Sequence, residues 1–356
     1  MVFNILGAGV SGLTTAINLA KQNKNVHIHE LRSFTGKRFE PNYQGLFGVN
    51  NIQHFFKNVN LDINFDFITM RYIRFIWENH DDIVIDLDPG KAIFIKRGGG
   101  SDSIEEGLYE QALNCDVKIN FKSKMREDEV DIVASGPKIT NGVALGKEFE
   151  KSENCNDKEM IIFFNKKYSP KGYYMYGIPN KNSMEIFNVC SARYSRNLEF
   201  LYNRGIKHFQ PYFRGNPKRC IIGRGNFTNP KTAFFDGRFY IGEAAGFQDP
   251  FMGFGNNYSI RSAFLCAKSI LEGLNYDFLW KNEFKLSFNR SLALRFLSST
   301  FEDRFIYQFV KTYQKNKVKS RSVQMEFSKL NYLILPILIK IFSTAEVYKK
   351  SLVGHW

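Results

Sequence analysis

The sequence predicts an α/β protein in which a Rossmann-like dinucleotide-binding domain is interrupted by a mainly antiparallel β domain and followed by a helical C-terminal region. Three observations carry this expectation. A glycine turn joins an apolar run to an apolar-periodic segment at the start of the chain. A second glycine-rich turn, far downstream, joins another apolar run to another helical segment. Between them lie short β runs broken by Gly, Pro and Asn. With 356 residues the chain has room for about two domains at roughly 150 residues each, so a small disulfide-stapled scaffold is excluded.

Val2-Phe3-Asn4-Ile5-Leu6 is a short apolar strand, Gly7 to Gly12 a GxGxxG turn, Leu13 to Gln22 a helix, and Val26 to Glu30 a second strand, which together make a βαβ unit. Gly7 permits the tight turn, Gly9 lets backbone approach a pyrophosphate, and Gly12 lets helix and strand pack closely; the helix N-terminus attracts the anion. Ser11 lies in the same turn. Glu30 closes the second strand, where a carboxylate accepts hydrogen bonds from a ribose diol. This unit alone does not separate NAD from FAD. Arg32 to about Gly48 is polar and turn-rich, hence a loop, and carries Arg38 as a further cofactor candidate.

Asn51 to Trp77 is aromatic and β-branched. Ile83 to Leu87 and Ala92 to Ile95 flank Asp88-Pro89-Gly90, the pattern of a hairpin. A helix follows over Ser101 to Asn114, with Ser101, Asp102 or Ser103 as cap and Glu105 and Glu106 in its first turn. Val130 to Ala134 is a buried strand, Leu145 to Arg238 the β insertion, Phe239 to Gly242 a returning strand, and Asn257 to Leu271 a helix. The expected division is a discontinuous nucleotide domain over 1–50, 80–144 and 236–275, a substrate domain over 51–79 and 145–235, and a helical region over 276–356.

Gly242-Glu243-Ala244-Ala245-Gly246-Phe247-Gln248-Asp249-Pro250-Phe251-Met252-Gly253-Phe254-Gly255-Asn256-Asn257 resembles the geranylgeranyl reductase family, within the larger flavoprotein group that includes the aromatic hydroxylases. The resemblance implies FAD. In that pattern the acid after the first Gly contacts the ribitol, and the Pro/Gly turn and following helix N-terminus lie against pyrophosphate and flavin. It thereby marks Gly242, Glu243, Pro250, Gly253, Gly255, Asn256 and Asn257. Glu243 stands where Asp is usual, which keeps the charge and adds a methylene of reach. Arg97, ahead of a helix with Leu108 and Ala112, resembles the segment whose Arg reaches the cofactor. Tyr174-Met175-Tyr176-Gly177-Ile178-Pro179 is similar to the family's YxWxFP strand, with Tyr176 and Ile178 replacing Trp and Phe. That strand lines the isoprenoid cavity in the family, which makes Tyr174, Tyr176, Ile178 and Pro179 substrate candidates.

The implied activity is reduction of carbon-carbon double bonds in an isoprenoid lipid or lipid precursor. A flavin monooxygenase acting on an aromatic or apolar small molecule, and a membrane-peripheral flavoprotein without turnover, are the rival readings. No catalytic side chain is expected, because a reduced flavin delivers hydride and the protein supplies position and dryness. The family's Cys-Gly segment is replaced by Gly36-Lys37-Arg38-Phe39, so no covalent cysteine is expected. No second GxGxxG occurs, so electrons are expected from transient NAD(P)H or an acidic ferredoxin.

The net charge is +14, which favours anionic partners. Nucleic acid is not expected, for want of any recognised motif. Five scattered cysteines and six unclustered histidines indicate neither a disulfide framework nor a metal site, and fit a reducing cytoplasm. Thirty-five Phe suggest a wide apolar cavity, a lipid-facing surface, or mere compositional drift. From Arg304 to Met325 the chain has basic but no acidic residues, and Leu330 to Phe342 is an apolar run too short to span a bilayer. Together they suit a peripheral contact with an anionic membrane face; a solvated helix and internal packing are equally compatible.

Overall fold

The apolar run Val2–Leu6 pairs in parallel with Asn25–Glu30 on one side and Ile132–Val133 on the other, and Ile5, Ile28 and Ile132 are fully buried between them. The computed structural model describes residues 2–319, apart from 182, 227–229 and 302. The complete sheet runs Phe234–Phe235, Arg238–Tyr240, Ile132–Val133, Val2–Leu6, Asn25–Glu30, Lys118–Phe121, and only its outermost pair is antiparallel. Helix α1 (Val10–Ala20) makes the crossover, with Leu13, Ala16 and Ile17 wholly buried on the sheet.

Helix α2 (Ile52–Asn58) departs from the expected domain division. Ile52, Phe55 and Phe56 fall at i, i+3 and i+4, and Asn51 caps the helix by accepting from the His54 amide at 2.8 Å. These side chains join the first core, with Ile5 and Leu13, rather than the substrate sheet. The expected division puts 51–79 in the substrate domain, but the helical spacing of these apolar residues carries them to the first core.

The expected hairpin does not form. Ile83–Asp86 pairs with Tyr72–Ile76 at the edge of one sheet, whereas Ala92–Arg97 is the middle strand of another, between Asn42–Gly45 and Phe67–Met70. A Pro-Gly turn reverses the chain without choosing which strand it then meets. Part of the loop expected over 32–48 is thus strand, and it carries the backbone past Arg97. Helix α3 (Ile104–Leu113) follows, capped by Ser103, whose hydroxyl accepts from the Glu106 amide at 3.2 Å.

The seven-stranded sheet runs Phe213–Gly225, Gly142–Lys151, Ser183–Ser191, Met175–Pro179, Glu159–Phe163, Tyr72–Ile76, Ile83–Asp86, antiparallel except where Glu159–Phe163 meets Tyr72–Ile76. Alternation splits its residues cleanly. Ile161, Phe163, Met184 and Ile186 face helix α4 (Leu198–Gly205) and the following turn, while Met160, Ile162, Tyr176, Ile178, Phe187 and Val189 share a core with Phe94 of the three-stranded sheet and Phe254 of the second glycine motif.

Helices α5 (Asn256–Glu272), α6 (Tyr276–Thr300) and α7 (Asp303–Lys319) close the described chain. Phe247 is enclosed by Trp280 and Phe284 at 5.0 Å and Phe288 at 6.0 Å, which fixes α6 against the second glycine motif. Ile306, Tyr307 and Val310 of α7 pack on the seven-stranded sheet, and Gln314 donates to the Val84 carbonyl at 2.9 Å. Much of the Phe inventory is therefore packed ring on ring. Arg304 and Lys315 are exposed on α7. Arg321 and the Leu330–Phe342 run lie outside the described residues. Among the described residues no helix is long and apolar enough to cross a membrane.

Candidate cofactor site

The first glycine turn opens on a cavity of about 330 Å³. Each glycine there answers to a different constraint. At Gly7, with φ +107°, an added Cβ would lie 2.5 Å from the Ala134 carbonyl oxygen; at Gly12 it would lie 2.0 Å from that of Gly7. At Gly9 it would meet no protein atom within 4 Å, because that position faces the cavity. Helix α1 starts at Gly9 with no side-chain cap and no acid in its first turn, so its terminal N–H groups are left for a ligand. Glu30 lines the cavity and is 8% exposed. Its Oε2 accepts from the Ala8 amide at 2.9 Å and its Oε1 from the Arg32 amide at 2.8 Å, so it shapes the glycine turn while keeping lone pairs for a diol.

The second motif meets the first directly. Gly242, at φ +57°, leaves room for Ser11, whose Oγ would lie 2.8 Å from an added Cβ. Glu243 pairs with Arg38 at 3.0 Å, and Arg38 also donates to the Arg224 carbonyl at 3.1 Å. Arg97 is 8% exposed and multiply held: by Glu105 at 2.6 Å, by Gln44 at 3.1 Å, by Asn256, and by the Phe39 ring at 4.5 Å. A buried guanidinium requires such partners. It gathers the 97 strand, α3 and the start of α5 into one corner. Asn256 and Asn257 in turn donate to the Gly45 and Phe47 carbonyls at 3.1 and 2.9 Å. Among the described residues the buried Asn257 Oδ1 has no partner, and α5, like α1, starts without a side-chain cap.

Beyond Arg97 lies a smaller apolar chamber of about 90 Å³ against the seven-stranded sheet, walled by Tyr176, Phe187, Val189, Ile221, Met252 and Phe254. Phe39, Arg97 and Glu243 line both spaces, so the two chambers share a wall. A larger open groove of about 1,130 Å³ contains no residue of either glycine motif.

Of the substrate candidates, Tyr176 lines the apolar chamber. Tyr174 is fully buried instead, and its hydroxyl donates to the Met252 carbonyl, so it holds the second glycine turn. Ile178 is fully buried, and neither it nor Pro179 is among the chamber's lining residues. Pro250 and Gly253 belong to that same turn, which a residue outside every motif secures. Arg295 of α6 donates to the carbonyls of Gly172 at 2.8 Å, Pro250 at 2.9 Å and Phe251 at 2.5 Å, with its guanidinium 3.8 Å over the Tyr173 ring. Asp249 completes the turn, accepting from the Phe251 and Met252 amides at 2.9 and 2.6 Å and from Ser291 at 2.5 Å.

No family model matches the chain, and no curated protein does. Solved structures do. A geranylgeranyl bacteriochlorophyll reductase-like protein from Thermoplasma acidophilum superposes with a TM-score of 0.75 at 14% identity, over 96% of this chain and 99% of that one. PqsL of Pseudomonas aeruginosa, in complex with 2-aminobenzoylacetate, gives 0.65 at 13% identity over 87% and 99%. The myxobacterial chondrochloren halogenase CndH, an FAD-dependent halogenase, gives 0.58 at 16% over 83% and 81%. At these identities the likeness is one of architecture: the chain shares its fold with the reductase-like protein, with PqsL, a probable FAD-dependent monooxygenase, and with the FAD-dependent halogenase.

Proposed function

We propose that this chain is an FAD-dependent oxidoreductase that saturates carbon-carbon double bonds of an isoprenoid lipid or lipid precursor. The observation that carries the reading is the shared wall: a chamber under a glycine turn and a ring-lined chamber against the seven-stranded sheet, joined at Phe39, Arg97 and Glu243. A molecule with an anionic nucleotide end and a flat apolar end fits that pair. Gly9 and the start of α1 would hold the pyrophosphate, Glu30 the ribose, Glu243 the ribitol, and the start of α5, with the open Oδ1 of Asn257, the polar edge of the ring. Bound and reduced, FAD supplies a hydride.

The chain's own part is to exclude water and orient the substrate. Tyr176, Phe187 and Val189 offer an apolar wall against which an unsaturated chain can lie. The resemblance of Tyr174 to Pro179 to the reductases' YxWxFP strand, with Tyr176 in the chamber wall, supports the reductase over the monooxygenase reading. Electrons would come from transient NAD(P)H or an acidic ferredoxin, and the basic C-terminal helix would favour an anionic membrane face.

Mass spectrometry of lipids from cells expressing this chain with a ferredoxin donor tests the reading. Prenyl chains with fewer double bonds are expected; unchanged lipids would refute it. Glu243→Ala is expected to weaken FAD binding about ten- to a hundredfold, since charge-assisted hydrogen bonds worth about 1.5–3 kcal/mol are removed and Arg38 loses its partner. Flavin titration of the apoprotein measures this, and unchanged affinity would make the carboxylate structural only.

A further inference from the structure

The strand Ser183–Ser191 is buried almost throughout and contains one acid, Glu185, 1% exposed. Directly across the ladder stand Glu148 on one side and Ile178 on the other. One guanidinium serves both acids: Arg219 binds Glu148 closely and lies 3.5 Å from Glu185. Two carboxylates on a single arginine leave a net negative charge in a buried place, so the less well partnered one keeps its proton. That one is Glu185. Besides Arg219, among the described residues, it accepts only from the Tyr43 amide, at 3.2 Å. The other charged or titratable groups facing it are Glu148, Lys96 and the phenols of Tyr43 and Tyr176. Burial, reinforced by Glu148 and opposed by the Tyr43 amide, Arg219 and Lys96, pushes its carboxyl up to about 8.

Its position gives that proton a use. Glu185, Phe187 and Val189 alternate onto one face of the sheet, and the latter two line the apolar chamber. Tyr176, also in the wall, stacks on Phe187 at 4.9 Å and is the diagonal cross-strand neighbour of Glu185, a separation of about 7–8 Å that is within reach of long side chains. Asn42 and Gln44, on either side of Tyr43, line the chamber too.

We propose that Glu185 is the proton store for chemistry in the apolar chamber, and that Tyr176 hands the proton to the substrate. The proposal rests on the reductase reading. Saturating one double bond takes a hydride and a proton: the hydride makes a C–H bond at one carbon, and the π pair, as that bond breaks, takes the Tyr176 hydroxyl proton to make the C–H bond at the other. The Glu185 carboxyl then returns a proton to the phenolate and is itself reprotonated from solvent beside the half-buried Arg219.

Two variants, Glu185→Gln and Glu148→Gln, test this. In resting protein at pH 7, infrared difference spectra should show a protonated-carboxyl band that Glu185→Gln abolishes. Wild-type thermal stability should also fall as pH rises from the ordinary carboxylate value of 4.5 through about 8, because the folded state holds a proton the unfolded chain has released; Glu185→Gln should flatten that slope. In prenyl reduction, the wild type should lose activity above about pH 8, Glu148→Gln should move that limb to lower pH, and Glu185→Gln should be slower by about 100-fold with no limb. No band lost, or a Glu185→Gln enzyme with wild-type rate and pH profile, overturns the assignment. Absence of prenyl reduction by the wild type overturns the reductase reading, and the proton-donor role with it.

Discussion

Gly12→Ala is expected to unfold or severely weaken the first domain. The new Cβ would stand 2.0 Å from the Gly7 carbonyl oxygen, a backbone atom that is itself fixed where an added Cβ at Gly7 would meet the Ala134 carbonyl at 2.5 Å. Neither neighbour is a flexible side chain, so α1 must lift from the strand it packs on. Overpacking of this kind costs about 3 kcal/mol or more, a large part of a typical domain's stability. Gly9→Ala supplies the contrast, since its Cβ meets no protein atom within 4 Å. Stability should change by no more than about 0.5 kcal/mol, while FAD affinity falls about tenfold or more, because the methyl occupies the ligand's approach. Thermal unfolding and flavin titration of the two variants separate the effects. A stable Gly12→Ala protein, or a Gly9→Ala protein with full affinity, would contradict this view of the turn.

Arg295→Met should produce the other large loss. The substitution keeps an apolar stem and removes every donor to the Gly172, Pro250 and Phe251 carbonyls, together with the guanidinium over Tyr173. Each carbonyl left unpaired inside costs about 1–3 kcal/mol, so a total of about 3 kcal/mol or more is expected after partial rehydration. The damage should be local first. Hydrogen exchange at the Phe251 and Met252 amides, which Asp249 holds, should accelerate more than exchange in the six-stranded sheet. Arg295→Lys, with one donor group in place of a fork, should fall between. Equal denaturation midpoints for Met variant and wild type would show that the clamp is incidental.

The glycine motifs were legible because close backbone approach demands a particular residue at a particular spacing, as Gly7 and Gly12 now show in distances to carbonyl oxygens. Arg97 was legible as a position but not as a corner: Glu105, Gln44 and Asn256 come from three separate segments, and no local pattern announces their meeting. Arg295 was invisible, since an arginine in a basic helical stretch reads as a solvated face. Tyr174 and Tyr176 looked alike in sequence and their rings lie 5.7 Å apart in one core, yet only the second lines the chamber, because Tyr174 stands just ahead of the strand and turns its hydroxyl to the Met252 carbonyl. Ile52, Phe55 and Phe56 show helical spacing carrying part of the expected substrate domain to the first core, and the Pro89-Gly90 turn shows a correct reversal with unexpected partners. Pairing is decided by which apolar faces find each other, and that information is spread across the chain.

The most direct test of the central claim is a single turnover without oxygen. Protein carrying FAD is reduced to completion in an anaerobic cuvette, a geranylgeranyl lipid is added, and flavin absorbance is followed while the lipid is recovered for mass analysis. The expected result is return of the oxidised spectrum with one double bond saturated per flavin. A flavin that stays reduced with the lipid present, and reoxidises only when oxygen is admitted, would contradict it.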